Sequence, residues 1–224
     1  MPQTGPLSST IGRKIVMAVT GVVLVGFVIA HMSGNLLLFV GPAALNEYAA
    51  WLRSLLHGAG LWIMRGKLVV AVVLHAWSAW TLTQDGHAAR PVKYANGLAP
   101  DASTYASRTM RWGGVILVAF IGYHLMHMTI GNVHPSFVEG DVYHNMITGF
   151  RVWPVTVFYV IAMVLLGLHL RHGVWSMFHT LGVSHPRYRA LARGFAAVFS
   201  FVIVLGNVSF PIAVLTGVVK EVAR

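Results

Sequence analysis

The chain has 224 residues, of which 56% are hydrophobic and only 10% are charged, and its mean hydropathy is +0.69. This composition excludes an ordinary soluble protein and indicates an integral membrane protein. The net charge of +10 does not indicate nucleic-acid binding, because the basic residues lie in short connections beside apolar segments. The absence of cysteine excludes disulfides, a thiolate haem ligand and a Cys-bound iron–sulfur cluster in this chain.

Five apolar segments are long enough to cross the roughly 30 Å of hydrocarbon in a bilayer as helices. In chain order they cover approximately residues 13–40, 61–83, 110–131, 153–179 and 192–219. The predicted fold is therefore all-α: an integral membrane protein in which five transmembrane helices form one bundle. Residues 1–224 are predicted to be a single transmembrane domain, because five spans leave little chain for anything else.

The connections between these segments are short. The tail at 1–10 has no apolar periodicity and is not a domain of its own. The connection after the first segment has Ala, Leu and Trp at helical spacing, which predicts a short amphipathic helix on the surface. The polar connection at 83–108 and the Gly- and Pro-containing connection at 131–150 are predicted to be loops.

The charged residues predict the orientation of the chain. Nine Lys and Arg residues in the connections or near the ends of the segments lie on the side of the N-terminus and six lie on the opposite side, leaving Arg171 inside the fourth segment uncounted. By the positive-inside rule, this bias predicts a cytoplasmic N-terminus. All six acidic residues lie outside the segments. Their position argues against a proton pump or cation transporter, which usually needs an intramembrane carboxylate.

Four histidines lie within apolar segments, one on each of the first four: His31, His75, His124 and His169. An ionisable side chain in hydrocarbon is costly and indicates a functional site. Counted along each helix from its inner boundary, His31 and His124 lie ~27 Å and ~20 Å deep, and His75 and His169 lie ~14 Å and ~15 Å deep. The histidines therefore fall into an outer pair, His31 with His124, and an inner pair, His75 with His169.

Paired imidazoles in an apolar bundle favour two haem sites, because neutral imidazole is a good axial ligand for haem iron. The flat macrocycle needs small residues near its ligands. Such residues lie three or four positions after the histidines: Gly34, Asn35, Ser78, Ala79 and Gly173. The alternative is that each histidine only forms a hydrogen bond to a neighbouring helix.

Two further histidines remain possible ligands by spacing alone. His127 and His172 follow His124 and His169 by three residues and share their helix faces, so depth does not separate them.

The chain resembles the five-helix, di-haem cytochrome b subunit of bacterial succinate dehydrogenase and fumarate reductase, over nearly its whole length. The matching motifs of the first three helices are an Arg-rich entry with His–x3–Asn, a His-Ala, and an Arg 13 residues before an aromatic-His. They are present as Arg13-Lys14, His31 to Asn35, His75-Ala76, Arg111 and Tyr123-His124. The fourth helix matches best, with His–x3–Gly–x–Trp-Ser and a turn, present as His169, Gly173, Trp175-Ser176, Gly182-Val183 and Pro186-Arg187.

The resemblance implies that His31, His75, His124 and His169 are the axial ligands of two b haems, and it favours His124 and His169 over His127 and His172. It also implies a quinone substrate, expected to be menaquinone. The implied partners are an iron–sulfur subunit and an FAD flavoprotein subunit on the cytoplasmic side, with the dicarboxylate reaction on the flavoprotein. The implied location is the bacterial cytoplasmic membrane. An acid after the first helix can take part in quinone proton chemistry in such enzymes, and Glu47 is the nearest candidate.

Two rival functions remain at this stage. Di-haem anchors of the nitrate reductase or hydrogenase type also have five helices, but they draw their ligands from fewer helices. A non-redox transporter lined by histidines is the rival from a different class of protein.

Overall fold

The computed structural model describes Gly5 and residues 9–89, 105–182 and 185–221. In these residues there is no strand, and seven α-helices follow one another: α1 (Thr10–Asn35), α2 (Pro42–Ser54), α3 (Ala59–Ala88), α4 (Tyr105–Leu125), α5 (Val142–Phe150), α6 (Trp153–Thr180) and α7 (Pro186–Leu215). Within the described parts of the chain, five helical segments are long and apolar enough to cross a membrane. The prediction of an all-α membrane protein with five spanning helices is therefore confirmed.

At the end of the bundle where α1 begins, the long helices extend beyond the predicted apolar segments, because helical hydrogen bonding continues into polar sequence. Helix α1 begins at Thr10, where the Ser9 side chain accepts a hydrogen bond from the Gly12 N–H at 3.0 Å. Helix α7 begins at Pro186, a residue whose fixed φ suits the first turn of a helix. The prediction of a loop at 83–108 is wrong for residues 83–88, which belong to α3, and for residues 105–108, which belong to α4. Residues 90–104 lie outside the described residues.

The connection between the first two spans contains the predicted short helix, α2. Helix α2 begins at Pro42 and ends at Ser54, and a tight turn, Leu55–Gly58, joins it to α3. The second connection on the same side was predicted to be a loop, and that prediction is wrong for its second half, which forms α5. Six of the nine residues of α5 are buried, and Ile147 has 0% exposure, so the segment packs as core.

We call the end of the bundle where α1 begins the inner end, and the end that carries α2 and α5 the outer end. The main cluster of buried apolar side chains lies at the outer end, where α5 packs against α2, α6 and α7. Along the spans, large apolar side chains such as Val69, Val198 and Phe201 are exposed on the outside of the bundle. An apolar exterior of this kind is suited to contact with lipid.

The spanning helices pack in an arrangement that leaves a gap inside the bundle. Helix α1 packs along α3, α4 packs along α6, and α6 packs along α7. Between the described residues of α1 and α4, and between those of α3 and α6, the backbones have at most marginal contact. The gaps between α1 and α4 and between α3 and α6 are therefore bridged by side chains, whereas α1 itself contacts α6 and α7.

Candidate functional site

The gap between the helix pairs is bridged at two levels by pairs of histidines. Near the outer end, His31 of α1 and His124 of α4 have ring centroids 5.8 Å apart, with an angle of 84° between the ring planes. Toward the inner end, His75 of α3 and His169 of α6 have ring centroids 6.1 Å apart, with an interplanar angle of 54°. Each pair joins two helices that do not pack on one another.

Three helices give the same spacing between the two levels. On α1, Gly21 lies beside the His75 ring and precedes His31 by ten residues. On α4, Gly114 lies beside the His169 ring and precedes His124 by ten residues. On α6, Tyr159 contacts His124 and precedes His169 by ten residues. At 1.5 Å per residue, ten residues correspond to a separation of about 15 Å along the bundle.

The distances within each pair fit two imidazoles that bind one metal ion from opposite sides. An imidazole–metal bond is about 2 Å long, which places the centroids of two such rings about 6 Å apart. No cluster of three or more His, Cys, Asp or Glu residues in the described parts of the chain could hold a metal by itself. Each pair therefore suits a metal whose remaining ligands come from a macrocycle, as in haem.

The surroundings of the inner pair also fit such a group. A Cβ at Gly21 would lie 3.5 Å from Cε1 of His75, and a Cβ at Gly114 would lie 4.0 Å from Cε1 of His169. Gly113 is buried, yet a Cβ there would meet no atom within 4 Å, and the same open space surrounds Gly173. Glycines therefore border open space beside the ligand level, as a flat macrocycle requires.

The second nitrogen of two of the rings is engaged by the protein. Nδ1 of His75 lies 3.1 Å from the Met17 carbonyl oxygen and 3.2 Å from the Thr20 hydroxyl. Nδ1 of His124 lies 3.2 Å from the Tyr159 hydroxyl. A ligand histidine characteristically donates its other N–H to a protein group, which fixes the orientation of the ring. In both rings Nε2 is left as the atom available for a metal.

The model of the family described as succinate dehydrogenase/fumarate reductase transmembrane subunit matches residues 88–206, just over half of the chain. The chain belongs to this family. Family members are membrane subunits of the succinate dehydrogenase/fumarate reductase complex, so this chain is a multi-pass membrane subunit of an enzyme complex. No curated protein and no solved structure matches the chain.

The matched range contains two of the four candidate ligands. His124 and His169 lie within residues 88–206, whereas His31 and His75 precede them. Membership of the succinate dehydrogenase/fumarate reductase family disfavours the two rivals, an anchor of the nitrate reductase or hydrogenase type and a histidine-lined transporter.

The two alternative histidines lie in different surroundings from the pairs. His127 has 0% exposure, and its Nδ1 lies 3.0 Å from the Tyr159 hydroxyl. Its ring packs against His134 at the outer end, with centroids 4.9 Å apart. His172 packs against Trp175, with ring centroids 5.8 Å apart. In the described residues neither ring contacts His31 or His75.

Glu47 lies on α2 at the outer end, where its side chain is exposed. Its neighbour Asn46 is engaged in the interface with the start of α5: its side chain donates to Asp141 at 2.9 Å and accepts from the Tyr143 N–H at 3.0 Å. The structure does not bring Glu47 into contact with either histidine pair.

Sequence reasoning missed the residues that support the rings. Tyr159 and Thr20 both lie within apolar helices, where a polar tip needs a partner. That requirement is a signal for some hydrogen bond, but it does not identify His124 or His75 as the partner. The Met17 carbonyl group has no signal in the sequence at all.

Proposed function

We propose that this chain is the membrane-anchor cytochrome b subunit of a succinate:quinone oxidoreductase. It transfers electrons between an iron–sulfur subunit and a membrane quinone, expected to be menaquinone, through two b haems. The observation that carries this proposal is the meeting of four histidines from four helices as two pairs across the gap in the bundle. Family membership supplies independent support.

The four histidines would form two haem-binding sites, with two histidines in each. His31 and His124 would hold the outer haem, and His75 and His169 would hold the inner haem. When bound, the two haems would supply two one-electron carriers. The Met17 carbonyl group and the Thr20 hydroxyl orient the His75 ring, because Nδ1–H donates to oxygen and Nε2 is left free.

The proposed orientation follows from charge and from the partner that the anchor must meet. The inner end carries more basic residues than the outer end, and by the positive-inside rule this bias supports a cytoplasmic position for the inner end in a bacterium. The iron–sulfur subunit and the FAD flavoprotein subunit would dock there, next to the inner site. The dicarboxylate reaction would take place on the flavoprotein. Residues 1–224 would serve as one transmembrane domain.

We further expect Glu47 to be an acid for quinone proton chemistry, because it is a carboxylate at the outer end of the bundle. Replacement by Gln should lower quinone-linked turnover and leave the haem spectrum unchanged. Equal turnover in the Glu47→Gln and wild-type enzymes would exclude this role.

The proposed function is tested on the intact complex, purified through a tag on this chain. We expect reduced-minus-oxidised spectra of b type with two haems per chain, co-purified flavoprotein and iron–sulfur subunits, and succinate-dependent reduction of a quinone. Preparations that contain the partner subunits but show no haem absorbance would overturn the proposal.

A further inference from the structure

The inner ligand ring is held by the backbone of a neighbouring helix. Nδ1 of His75 contacts the Met17 carbonyl oxygen and the Thr20 hydroxyl, and that hydroxyl itself donates to the Val16 carbonyl at 2.7 Å. Both partners of His75 belong to the regular part of α1. The Met17 carbonyl acceptor is a backbone group fixed by the helix, so a change of one side chain cannot remove it.

The outer ligand ring is held by side chains alone. The Tyr159 hydroxyl lies 3.2 Å from Nδ1 of His124 and 3.0 Å from Nδ1 of His127. A hydroxyl has one proton, so it can donate to only one of the two nitrogens and must accept from the other. The three groups therefore form a chain of hydrogen bonds with a single direction.

The proposed function determines the direction of this chain of hydrogen bonds. If Nε2 of His124 is the ligand atom, the proton of the neutral His124 ring lies on Nδ1, which donates to the Tyr159 oxygen. The Tyr159 hydroxyl must then donate to Nδ1 of His127, whose own proton lies on Nε2. That nitrogen is buried with no hydrogen-bond partner among the described residues, so His127 is held in this tautomer by its one bond to Tyr159.

Packing prevents these groups from rearranging. Tyr159 is 5% exposed and His127 is fully buried. The rings of Phe120 and Phe150 form T-shaped contacts with the Tyr159 ring, with centroid distances of 5.1 Å and 5.0 Å. The hydroxyl is therefore kept at the ligand ring by aromatic contacts that do not involve the hydrogen bonds.

We propose that Tyr159 and His127 are positioning residues for His124, and that together they set the reduction potential of the outer haem separately from that of the inner haem. This inference rests on the proposed function. An acceptor on Nδ1–H increases the electron donation of an imidazole to its metal, which favours the oxidised iron. The Tyr159 oxygen is a stronger acceptor while its own proton is engaged by His127, because hydrogen bonds in a chain polarise one another.

The test is a redox titration of the intact complex, followed by haem absorbance, in wild type and in Tyr159→Phe. The substitution removes only the hydroxyl. The matched control is Tyr123→Phe, since Tyr123 stacks on His127 with centroids 5.5 Å apart but its hydroxyl makes no hydrogen bond in the described residues. A His124→Ala variant shows which component belongs to the outer haem.

We expect Tyr159→Phe to keep both haems and to raise the midpoint potential of the outer one alone, while Tyr123→Phe leaves both potentials at their wild-type values. Loss of only the outer haem in Tyr159→Phe, with both retained in Tyr123→Phe, would also support the positioning role. Two haems at wild-type potentials in Tyr159→Phe would overturn the inference and leave the proposed function intact. Absence of haem from the wild type would instead overturn the proposed function.

A second pair of variants covers the case in which Tyr159→Phe does not assemble. His127→Leu removes the acceptor of the Tyr159 hydroxyl, and we expect a smaller rise in the outer potential. His127→Asn places an amide oxygen near the position of Nδ1 and should restore the wild-type potential. Equal outer potentials in wild type and His127→Leu would contradict the chain of hydrogen bonds.

Discussion

Replacement of Gly149 by Ala tests the packing at the outer end of the bundle. A Cβ at this buried position of α5 would lie 2.9 Å from Cε1 of His127 and 2.9 Å from Nε2 of His134. Non-bonded heavy atoms prefer about 3.5–4.0 Å, so both rings must move. The His127 ring is fully buried, and Nε2 of His134 donates to the Asn145 carbonyl at 2.8 Å. Displacement of either ring therefore lowers the stability of the fold.

Overpacking of a core by one methyl group costs about 1–3 kcal/mol. A weakened His134 hydrogen bond adds about 1 kcal/mol to this destabilisation. The higher helix propensity of Ala stabilises the variant by about the same amount. The net loss of roughly 1–3 kcal/mol corresponds to a fall in the apparent Tm of about 2–12 °C for a chain of this size. The assay is thermal unfolding of the purified protein in detergent.

The matched control is Gly66→Ala on the exposed side of α3, where a Cβ would meet no atom within 4 Å. We expect its Tm to equal that of the wild type or to exceed it slightly. If Gly149→Ala were as stable as Gly66→Ala, the close approach of the two rings to α5 would be refuted.

Two further predictions concern the two ends of the bundle. Asp85→Asn removes the 2.6 Å ion pair with Arg13. Because the Asp85 side chain is 42% exposed, we expect the free energy of unfolding to fall by at most about 1 kcal/mol, and by less at high salt. A fall of several kcal/mol in thermal unfolding would contradict this. At the outer end, burial and then the Glu221 carboxylate raise the pKa of Tyr143. Its contribution to stability is therefore complete below about pH 10, the ordinary pKa of tyrosine, and is lost at higher pH. Between pH 9 and 11, about one pH unit on each side of that pKa, the Tm of Tyr143→Phe should fall less than the wild-type Tm. Parallel plots of Tm against pH for the two proteins would show that Tyr143 is not the source of the pH dependence.

The sequence was sufficient to predict the helices that span the membrane and the four histidines that the structure brings together. Both depend on local properties, since span length follows from apolar composition and depth follows from helix rise. His31 and His124 were assigned to one level by counting residues, and their rings lie 5.8 Å apart. Haem binding by these residues stays a prediction.

Long-range packing gives different surroundings to two histidines that helix spacing alone does not separate. His124 and His127 share a helix face, as the spacing predicts, and both contact Tyr159. Only His124 lies at the level of His31, whereas His127 is covered at the outer end by α5, which contributes Phe150. The position of α5 depends on tertiary contacts such as those of Ile147 with the core, and the short segment has too few residues for its periodicity to reveal them.

The most direct test of the central claim is the haem content of four single variants, His31→Ala, His75→Ala, His124→Ala and His169→Ala, with His172→Ala as the control. Each of the four should lose one haem, and redox titration should show the same component missing from His31→Ala and His124→Ala and the other missing from His75→Ala and His169→Ala. The His172→Ala protein should keep both. Retention of both haems in His169→Ala, or loss of the same component from His31→Ala and His75→Ala, would contradict the account.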